Sequence, residues 1–352
     1  MRAWILATVL LSSVAAAAPG RDIKKTRIAD GIYQFTTAAD GYVEQLNSLV
    51  IVGPRDVTVF DTGTRPSDAR IVLAEIRKLT DRPVRTVINS HWHPDHWSGN
   101  EVYVAAFPDV EIIATEETAG YMRHAAPAWS ARFQINLERA EKDLDEAIRS
   151  GKQADGTPFT AAQRQKDEAD VRLYRDFAAE ARTVRRTFPT LTYSGKLTLM
   201  RGGRELRLIS LVGDSVGTTV LYLPREKVVA TGDVVVHPIP YSTPSPTQRI
   251  ASLQQLRALD FEVLIPGHGP AMRDRAYVDL QIKLLESVVT QVRAALLKGA
   301  ATLDEVQKEV SVGDLRRAFA GDDPELAARL EAHVRFLVPQ AIREAREQDY
   351  RN

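Results

Sequence analysis

Short apolar runs separated by turn residues make up residues 28–115 of the chain. Four of these runs have the length and composition of buried strands, and one longer stretch repeats apolar residues at helical spacing. The pattern therefore predicts strands at 49–52, 57–60, 84–90 and 110–114 and a helix at 68–79. Strands that alternate with helices are typical of an α/β fold, in which functional side chains collect at the carboxyl ends of strands.

Residues 116–186 interrupt this pattern with two predicted amphipathic helices. Apolar side chains recur three or four residues apart on one face of the first helix, at Phe133, Leu137, Ala140, Leu144 and Ala147. The second helix is expected to begin at Thr160, in the capping sequence Thr-Ala-Ala-Gln, and to bury Val171, Tyr174, Phe177, Ala181 and Val184. The segment is typical of an inserted helical hairpin, which is either a lid over a site or a surface for packing or homo-oligomer formation.

The strand pattern resumes at residue 191 and continues to about residue 265. Strands are predicted at 197–200, 206–211, 220–223 and 228–230, with a Gly202-Gly203 hairpin turn between the first two. Beyond Pro270 the pattern is helical, and Thr302-Leu303-Asp304-Glu305 has the sequence of a second capping box. The chain therefore divides into an α/β domain at 28–270, with the insertion at 116–186, and a C-terminal helical extension at 271–352.

The first 18 residues have the pattern of a secretory signal peptide. Arg2 precedes an apolar stretch that is too short to cross a bilayer comfortably and that ends in small residues. The sequence therefore predicts a periplasmic or secreted protein with no integral membrane segment after removal of residues 1–18. A membrane anchor is the alternative interpretation of this stretch.

Composition excludes several classes of protein. The chain has no cysteine, so it has no disulfide scaffold, no thiolate metal ligand and no cysteine nucleophile. Its 46 lysines and arginines balance its 46 aspartates and glutamates, and no basic stripe is interleaved with aromatic residues. We therefore expect a small-molecule substrate and no nucleic-acid partner.

Three histidines and an aspartate fall within six residues, directly after a predicted strand. Imidazole and carboxylate together suit zinc and similar metals. In an extended loop, His91 and His93 point to the same side and can bind one ion. A turn into a short helix at Pro94 then brings Asp95 and His96 toward a second position. One segment can therefore serve two metal ions.

Two strand ends in the second half of the chain carry further metal-binding side chains. Asp233 follows a predicted strand in Thr231-Gly232-Asp233, where its carboxylate can bridge two ions. His268 lies between two glycines, which permit tight turns and close backbone approach. An aspartate after a strand more often caps a turn or helix, but the histidine motif makes the metal-binding interpretation the stronger one here.

Together with the turn Asp61-Thr62-Gly63, these motifs stand in the order found in the metallo-β-lactamase superfamily. The chain clearly resembles this superfamily over residues 28–270, apart from the insertion. The resemblance implies a four-layer αβ/βα sandwich with the metals at one edge. It says little about the substrate, because members of this superfamily cleave β-lactams, lactones, thioesters, phosphodiesters and sulfate esters.

The resemblance also implies a set of metal ligands, with one departure from the usual pattern. In such proteins a third histidine lies in a Gly-His-Thr-x-Gly segment, and Asp214 occupies its place here. The implied first site consists of His91, His93 and Asp214, and the implied second site consists of Asp95, His96 and His268. Asp233 is implied to bridge the two ions. Asp61 is implied to hold ligand histidines by hydrogen bonds. The additional carboxylate makes the centre less positive and tilts metal selectivity toward manganese or iron.

The activity implied by the resemblance is hydrolysis of an ester, lactone, β-lactam or similar bond by water activated on two zinc ions, with iron or manganese as the other metals. Asp95 would orient that water and accept a proton, and His237 and Tyr241 would contact the substrate. Two other functions fit the same residues. One is an iron-dependent, persulfide-oxidising relative, and the other is a binding protein that keeps the fold with weakened catalysis.

Overall fold

Two β-sheets pack face to face in the computed structural model of the protein. The structure describes residues 22–38, 45–124 and 156–349. Between residues 135 and 152 it describes all residues except 136, 137, 140 and 144. Helices cover the outer face of each sheet. These four layers confirm the αβ/βα sandwich predicted from the sequence. The signal peptide predicted at 1–18 lies outside the described residues, so export stays a prediction.

The first sheet has seven strands in chain order. They are β1 Ile23–Ala29, β2 Ile32–Thr37, β3 Asn47–Val52, β4 Val57–Phe60, β5 Val84–Ile88, β6 Glu111–Thr115 and β7 Leu191–Tyr193. Strands β1 to β4 pair antiparallel, and β4 to β7 pair parallel. Since β4, β5 and β6 run in the same direction, the loops that follow them lie side by side at one edge of the sheet.

The second sheet has five strands, in the order β12-β11-β10-β9-β8. They are β8 Lys196–Arg201, β9 Arg204–Leu211, β10 Thr218–Leu223, β11 Val228–Ala230 and β12 Val263–Ile265. Neighbouring strands are antiparallel except for β11 and β12, which run parallel and therefore end at the same edge. A single turn of 3₁₀ helix, Gly232–Val234, follows β11 and carries Asp233.

Ten α-helices have both ends in the described part of the chain, and further helical residues lie between 135 and 150. They are α1 Pro66–Leu79, α2 Pro94–Trp97, α3 Asn100–Ala106, α4 Glu116–His124, α5 Ala161–Ala181, α6 Pro246–Arg257, α7 Ala276–Leu297, α8 Leu303–Glu309, α9 Gly313–Ala320 and α10 Pro324–Asp349. The capping box predicted at Thr302 is present at the start of α8. Within the described ranges, every helix is too short or too polar to cross a membrane.

Three apolar clusters hold the layers together. The central cluster joins the facing sides of the two sheets, for example Ile88 of β5 and Leu221 of β10. A second cluster packs α1 and α3 on the outer face of the first sheet. The third packs the C-terminal helices on the second sheet and includes Leu253 of α6, Leu285 of α7 and Leu337 of α10. The C-terminal helices therefore share a core with the sheet beside which Asp233 lies.

The apolar pattern predicts most strands well, and its errors have physical causes. The strands predicted at 57–60 and 228–230 match the observed bounds. The strand predicted at 84–90 ends at Ile88, because the chain then turns and the backbone N–H of Ser90 donates to the carboxylate of Asp61 at 2.7 Å. The pattern does not predict helix α6, because two of its buried positions, Arg249 and Ser252, are polar and weaken the apolar periodicity.

The described part of the insertion is anchored against the start of α1. Phe177 of α5 lies under the guanidinium of Arg65, 5.0 Å from the ring centroid. Glu180 accepts hydrogen bonds from the backbone N–H and the hydroxyl of Ser67, both at 2.7 Å. Helix α5 ends before Val184, which is half-buried beyond the helix rather than on its buried face. Four positions of the first predicted helix, Phe133, Leu137, Ala140 and Leu144, lie outside the described residues.

Glu344 of α10 ties the C-terminal helix to the start of α6. Its carboxylate accepts hydrogen bonds from the hydroxyl of Ser245 and from the N–H and hydroxyl of Thr247, the last two at 3.1 and 2.9 Å. We expect Glu344→Ala to lower the free energy of unfolding by about 1–2 kcal/mol, because donors at a helix N-terminus lose their acceptor.

Urea unfolding measures this loss directly. Glu347→Ala, on the exposed side of the same helix, is the matched control and should change the free energy of unfolding by less than about 0.5 kcal/mol. Equal losses in the two variants would contradict the anchoring role of Glu344.

Candidate metal centre

The loop after β5 carries four of the candidate ligands. His91 and His93 lie in the stretch directly after the strand, and His93 has an extended backbone. Helix α2 then begins at Pro94, whose fixed φ suits the first helical position, and carries Asp95 and His96. The structure therefore has the change from extended chain to short helix that the sequence predicts.

The carboxylate of Asp61 links the loops that follow β4 and β5. Its Oδ2 accepts a hydrogen bond from Nδ1 of His96 at 2.7 Å, and its Oδ1 accepts one from the backbone N–H of Ser90 at 2.7 Å. Asp61 has a positive φ of 58°, a conformation that aspartate adopts more readily than most residues. Because Nδ1 of His96 is committed to Asp61, Nε2 is the nitrogen that remains to bind a metal.

A turn between β9 and β10 positions Asp214. Gly213 lies against the turn that carries Asp233, where a Cβ would come within 2.8 Å of the carbonyl oxygen of Asp233. Gly217, at a φ of 75°, accepts a hydrogen bond through its carbonyl from the hydroxyl of Thr115 at 2.6 Å. The Asp214 turn is therefore held between β6 and the Asp233 turn.

A close glycine contact fixes Asp233 beside His268. A Cβ on Gly267 would lie 2.0 Å from Oδ1 of Asp233, so no larger residue fits at this position. His268 donates from Nδ1 to the backbone carbonyl of Gln45 at 2.7 Å. That hydrogen bond leaves Nε2 of His268 as the nitrogen that faces the carboxylates.

The first cluster consists of His91, His93, Asp214 and Asp233, whose potential ligand atoms all lie within 4.8 Å of one another. Oδ2 of Asp214 is 2.8 Å from Nδ1 of His93 and 3.6 Å from Nε2 of His91. Oδ2 of Asp233 is 3.7 Å from Nε2 of His91. Asp214 thus lies beside His91 and His93, the two residues with which the resemblance grouped it.

The second cluster consists of Asp95, His96 and His268, again with ligand atoms within 4.8 Å of one another. Oδ2 of Asp95 is 3.2 Å from Nε2 of both histidines. Asp233 also reaches this cluster, with Oδ1 3.5 Å from His96 and Oδ2 3.5 Å from His268. Asp233 is therefore in contact distance of imidazoles from both clusters.

Several buried atoms of the two clusters contact oppositely charged groups without forming a hydrogen bond. In the described part of the chain, Nε2 of His96, Nε2 of His268, Oδ1 of Asp214 and Oδ1 of Asp233 are buried and make no hydrogen bond. Each such atom costs about 1–3 kcal/mol when it is left unsatisfied. Imidazole nitrogens and carboxylate oxygens are the donors that zinc and similar cations bind, so these residues fit divalent metal ions.

The charges in the site also favour bound cations. Burial would lower the pKa of His268, but the carboxylates of Asp233 and Asp95 raise it to about 10. Desolvation would raise the pKa of Asp95, but His96 and His268 hold it well below its ordinary value. These opposite shifts indicate a pocket in which ionised carboxylates attract positive charge.

The two residues predicted to contact substrate lie beside the second cluster but differ in orientation. The ring of Tyr241 packs edge-on against the ring of His268, with centroids 5.2 Å apart. The backbone N–H of His237 donates to the carbonyl of His268 at 3.1 Å, whereas its ring packs against Tyr277 at 4.9 Å. Tyr241 is therefore the stronger candidate for substrate contact.

Two residues that the sequence analysis did not single out help to position the ligands. Asn47 of β3 donates to the backbone carbonyls of Pro266 and Gly269, at 2.9 and 2.7 Å, and so holds the His268 turn. Arg249 of α6 donates to the backbone carbonyl of Asp233 at 3.3 Å. Neither has a local sequence signature, because a hydrogen bond to a backbone carbonyl leaves no pattern of residue types.

The chain is similar to one known family and to several solved structures. The family described as the metallo-beta-lactamase superfamily matches residues 41–268. Two similar solved structures are a metallo-beta-lactamase from Pontibacter korlensis and the DIM-1 metallo-beta-lactamase. The first has a TM-score of 0.51 at 18% identity and covers 75% of this chain and 99% of its own. The second has a TM-score of 0.52 at 16% identity and covers 75% and 97%. At these identities the likeness concerns the fold alone.

A curated relative is similar in sequence. It is a linear primary-alkylsulfatase from Pseudomonas sp. (strain ATCC 19151), 24% identical over 281 residues. The alignment covers 75% of this chain and 49% of the relative, so the chain spans about half the length of the curated relative it matches.

The hydrogen bond between Asp61 and His96 generates a prediction about metal affinity. We expect Asp61→Asn to weaken zinc binding at the second cluster by roughly 10–100-fold, because the carboxylate that orients the imidazole and raises its basicity is lost. Competition with a chromophoric chelator measures the affinity. Asp109→Asn removes an exposed carboxylate that pairs with Arg85 and should leave the affinity unchanged. A similar loss in both variants would contradict the role of Asp61.

Proposed function

This chain belongs to the metallo-β-lactamase superfamily, and we propose that it is a hydrolase that cleaves an ester bond in a small molecule with the help of two zinc ions. The observation that carries the proposal is the position of Asp233, whose two carboxylate oxygens lie within 3.7 Å of imidazoles from both ligand clusters. A carboxylate shared in this way is suited to bridge two cations, as dinuclear hydrolytic sites require.

Sulfate esters and carboxylic esters are the substrate classes that we propose first. The name of the alkylsulfatase relative supports the sulfate ester. The extra negative charge of Asp214 weakens the attraction of anions, which supports the uncharged carboxylic ester over the anionic sulfate ester. We rank β-lactams lower, since Asp214 takes the place of the histidine expected from the superfamily.

The mouth of the site supports a substrate with an apolar part. Asp95 and His93 are the candidate ligands with the largest exposed fractions, 31% and 28% of their side chains. Beside them, Trp92 packs against His93 with ring centroids 4.4 Å apart and stacks on Tyr121 at 5.7 Å. This aromatic pair gives an alkyl or aryl group a surface next to the first cluster.

In such a site, zinc supplies Lewis acidity and lowers the pKa of a coordinated water. His91, His93 and Asp214 would hold the first ion, and His96, His268 and Asp95 the second. The partly exposed carboxylate of Asp95 is suited to orient the attacking water and to accept its proton. Tyr241, against His268, would contact the group that leaves.

Metal analysis and a substrate panel test the proposal together. The full chain is purified without added metal, analysed for its metals, and assayed against sulfate esters, carboxylic esters, lactones, β-lactams and phosphodiesters. We expect two zinc ions per chain and the fastest turnover on an ester. One iron per chain would instead favour the oxidation of persulfides. A zinc-loaded protein that leaves the whole panel intact would favour a binding protein.

Replacement of Asp95 tests its role in proton transfer through kcat, while the melting temperature reports separately on the stability of the fold. We expect Asp95→Asn to lower kcat by roughly 10²–10⁴-fold, because the amide cannot accept the proton of the attacking water. Steady-state kinetics on the best ester of the panel measure the change, and the melting temperature of the metal-free protein should stay close to that of the native chain. The control is Asp81→Asn, at an exposed turn. A kcat within threefold of the native value would exclude Asp95 from proton transfer.

A further inference from the structure

One face of α4 forms a shallow depression beside the candidate metal centre. Glu117, Gly120, Tyr121 and His124 occupy positions i, i+3, i+4 and i+7 of the helix, which share one face. Together they line a depression of about 430 Å³. Because a helix rises about 1.5 Å per residue, the face runs for roughly 10 Å from Glu117 to His124. We call this set of four residues the α4 stripe.

Two aromatic rings connect the α4 stripe to the candidate metal centre. Tyr121 is 41% exposed and stacks on Trp92 with ring centroids 5.7 Å apart. Trp92 packs in turn against the ring of His93, a candidate metal ligand, with centroids 4.4 Å apart. The indole N–H of Trp97 donates to the backbone carbonyl of Trp92 at 2.7 Å and so fixes that part of the loop. A molecule held at His93 can therefore extend over both rings and onto the α4 stripe.

The other face of α4 is packed against the protein. Thr118, Ala119 and Met122 are buried on that face. Oγ1 of Thr118 donates to the backbone carbonyl of Gly217 at 3.1 Å, in the turn that carries Asp214. The α4 stripe is therefore fixed in place relative to the first ligand cluster.

Gly120, in the middle of the stripe, is a glycine that the packing does not require. It lies inside a helix, where glycine is destabilising relative to alanine. Among the described residues, no neighbouring atom lies within 4 Å of a Cβ placed on Gly120. Gly213 and Gly267, by contrast, lie in contacts that exclude a Cβ. The missing side chain at Gly120 thus leaves open space beside the ring of Tyr121.

The lining of the depression suits an uncharged, apolar chain. Its surface is mostly apolar and includes the ring of Tyr121. Glu117 adds a carboxylate at the end beside Gly217, which opposes an anionic group there. A linear alkyl chain meets both conditions, and it fits a straight stripe better than a bulky group does.

We propose that Gly120 is a specificity-determining residue, whose missing side chain makes room for the uncharged, linear alkyl chain of a substrate along α4. The reacting bond would lie at the metal centre, and the chain would cross Trp92 and Tyr121. That this bond is hydrolysed rests on the proposed function, whereas binding of the alkyl chain does not. Each methylene that the stripe covers in part should strengthen binding by about two- to fourfold.

Binding of straight-chain primary alcohols by the full chain tests the proposal without any catalysis. Isothermal titration calorimetry compares 1-hexanol, 1-octanol and 1-decanol on the native chain, whose Kd should fall by about two- to fourfold per methylene. Gly120→Gln fills the stripe with a polar side chain, so it should raise the Kd of 1-octanol by roughly tenfold. A native chain that binds none of the alcohols would overturn the proposal, and so would equal Kd values in the two proteins.

Gly313→Gln is the matched control. Gly313 is also a helical glycine, and the nearest atom to a Cβ placed on it is Oγ of Ser311 at 3.8 Å. This variant should leave the Kd of 1-octanol unchanged, because it adds the same side chain to a helix distant from the ligand clusters in the chain.

Melting temperatures show whether packing tolerates a side chain at position 120. Gly120→Ala should raise the melting temperature by about 1–3 °C, because alanine favours the helix. A lower melting temperature would mean that the packing requires glycine, which would overturn the proposal. If Gly120→Gln does not fold, Tyr121→Ser replaces it, since serine removes the aromatic surface without filling the stripe. An unchanged Kd for 1-octanol in Tyr121→Ser would again overturn the proposal.

Kinetics on alkyl esters separate this proposal from the proposed function. In Gly120→Gln, the KM of an octyl ester should rise by roughly tenfold and that of the methyl ester by less than about twofold. A chain that binds 1-octanol as expected but cleaves no ester contradicts the proposed function alone. A chain that cleaves octyl and methyl esters with equal KM values contradicts the role of the α4 stripe alone.

Discussion

The site depends on keeping several carboxylates ionised in a pocket that excludes water. Asp61, Asp214 and Asp233 are buried, and Asp95 lies against His96 and His268 at the mouth. Like charges this close repel strongly in a low-dielectric interior, and the repulsion is tolerated only where cations or hydrogen-bond donors share the space. The imidazoles and the N–H of Ser90 supply part of that compensation. Bound divalent ions are suited to supply the rest.

This constraint explains the local backbone. Ligands from distant parts of the chain can converge only if the loops approach one another without intervening side chains. Gly213, Gly232 and Gly267 lie in such contacts, where a Cβ would come within 2.0–2.8 Å of a neighbouring atom. The parallel pairs β4–β5 and β11–β12 bring the loops that follow these strands to one edge of the sandwich. The glycines allow the backbones of these loops to come into contact.

The local motifs and most strands could be predicted from sequence, because short-range periodicity and ligand spacing encode them. Asp214 was identified through the resemblance alone, since an isolated aspartate in a turn carries no signal. Asn47 could not be predicted, because its side chain holds a turn 219 residues away through backbone carbonyls. The ring of His237 packs against Tyr277, a contact that no spacing in the sequence indicates. The roles of the ligands in binding metal stay predictions.

The C-terminal helices bear on the chemistry although they contribute no candidate ligand. Arg249 and His333 lie in α6 and α10, and α7 packs against both helices in the same apolar cluster. A guanidinium open to solvent would be screened, whereas the charge of one buried beneath these helices is screened much less. A buried guanidinium on a helix that carries no candidate ligand can therefore contribute to the electrostatic potential of the centre.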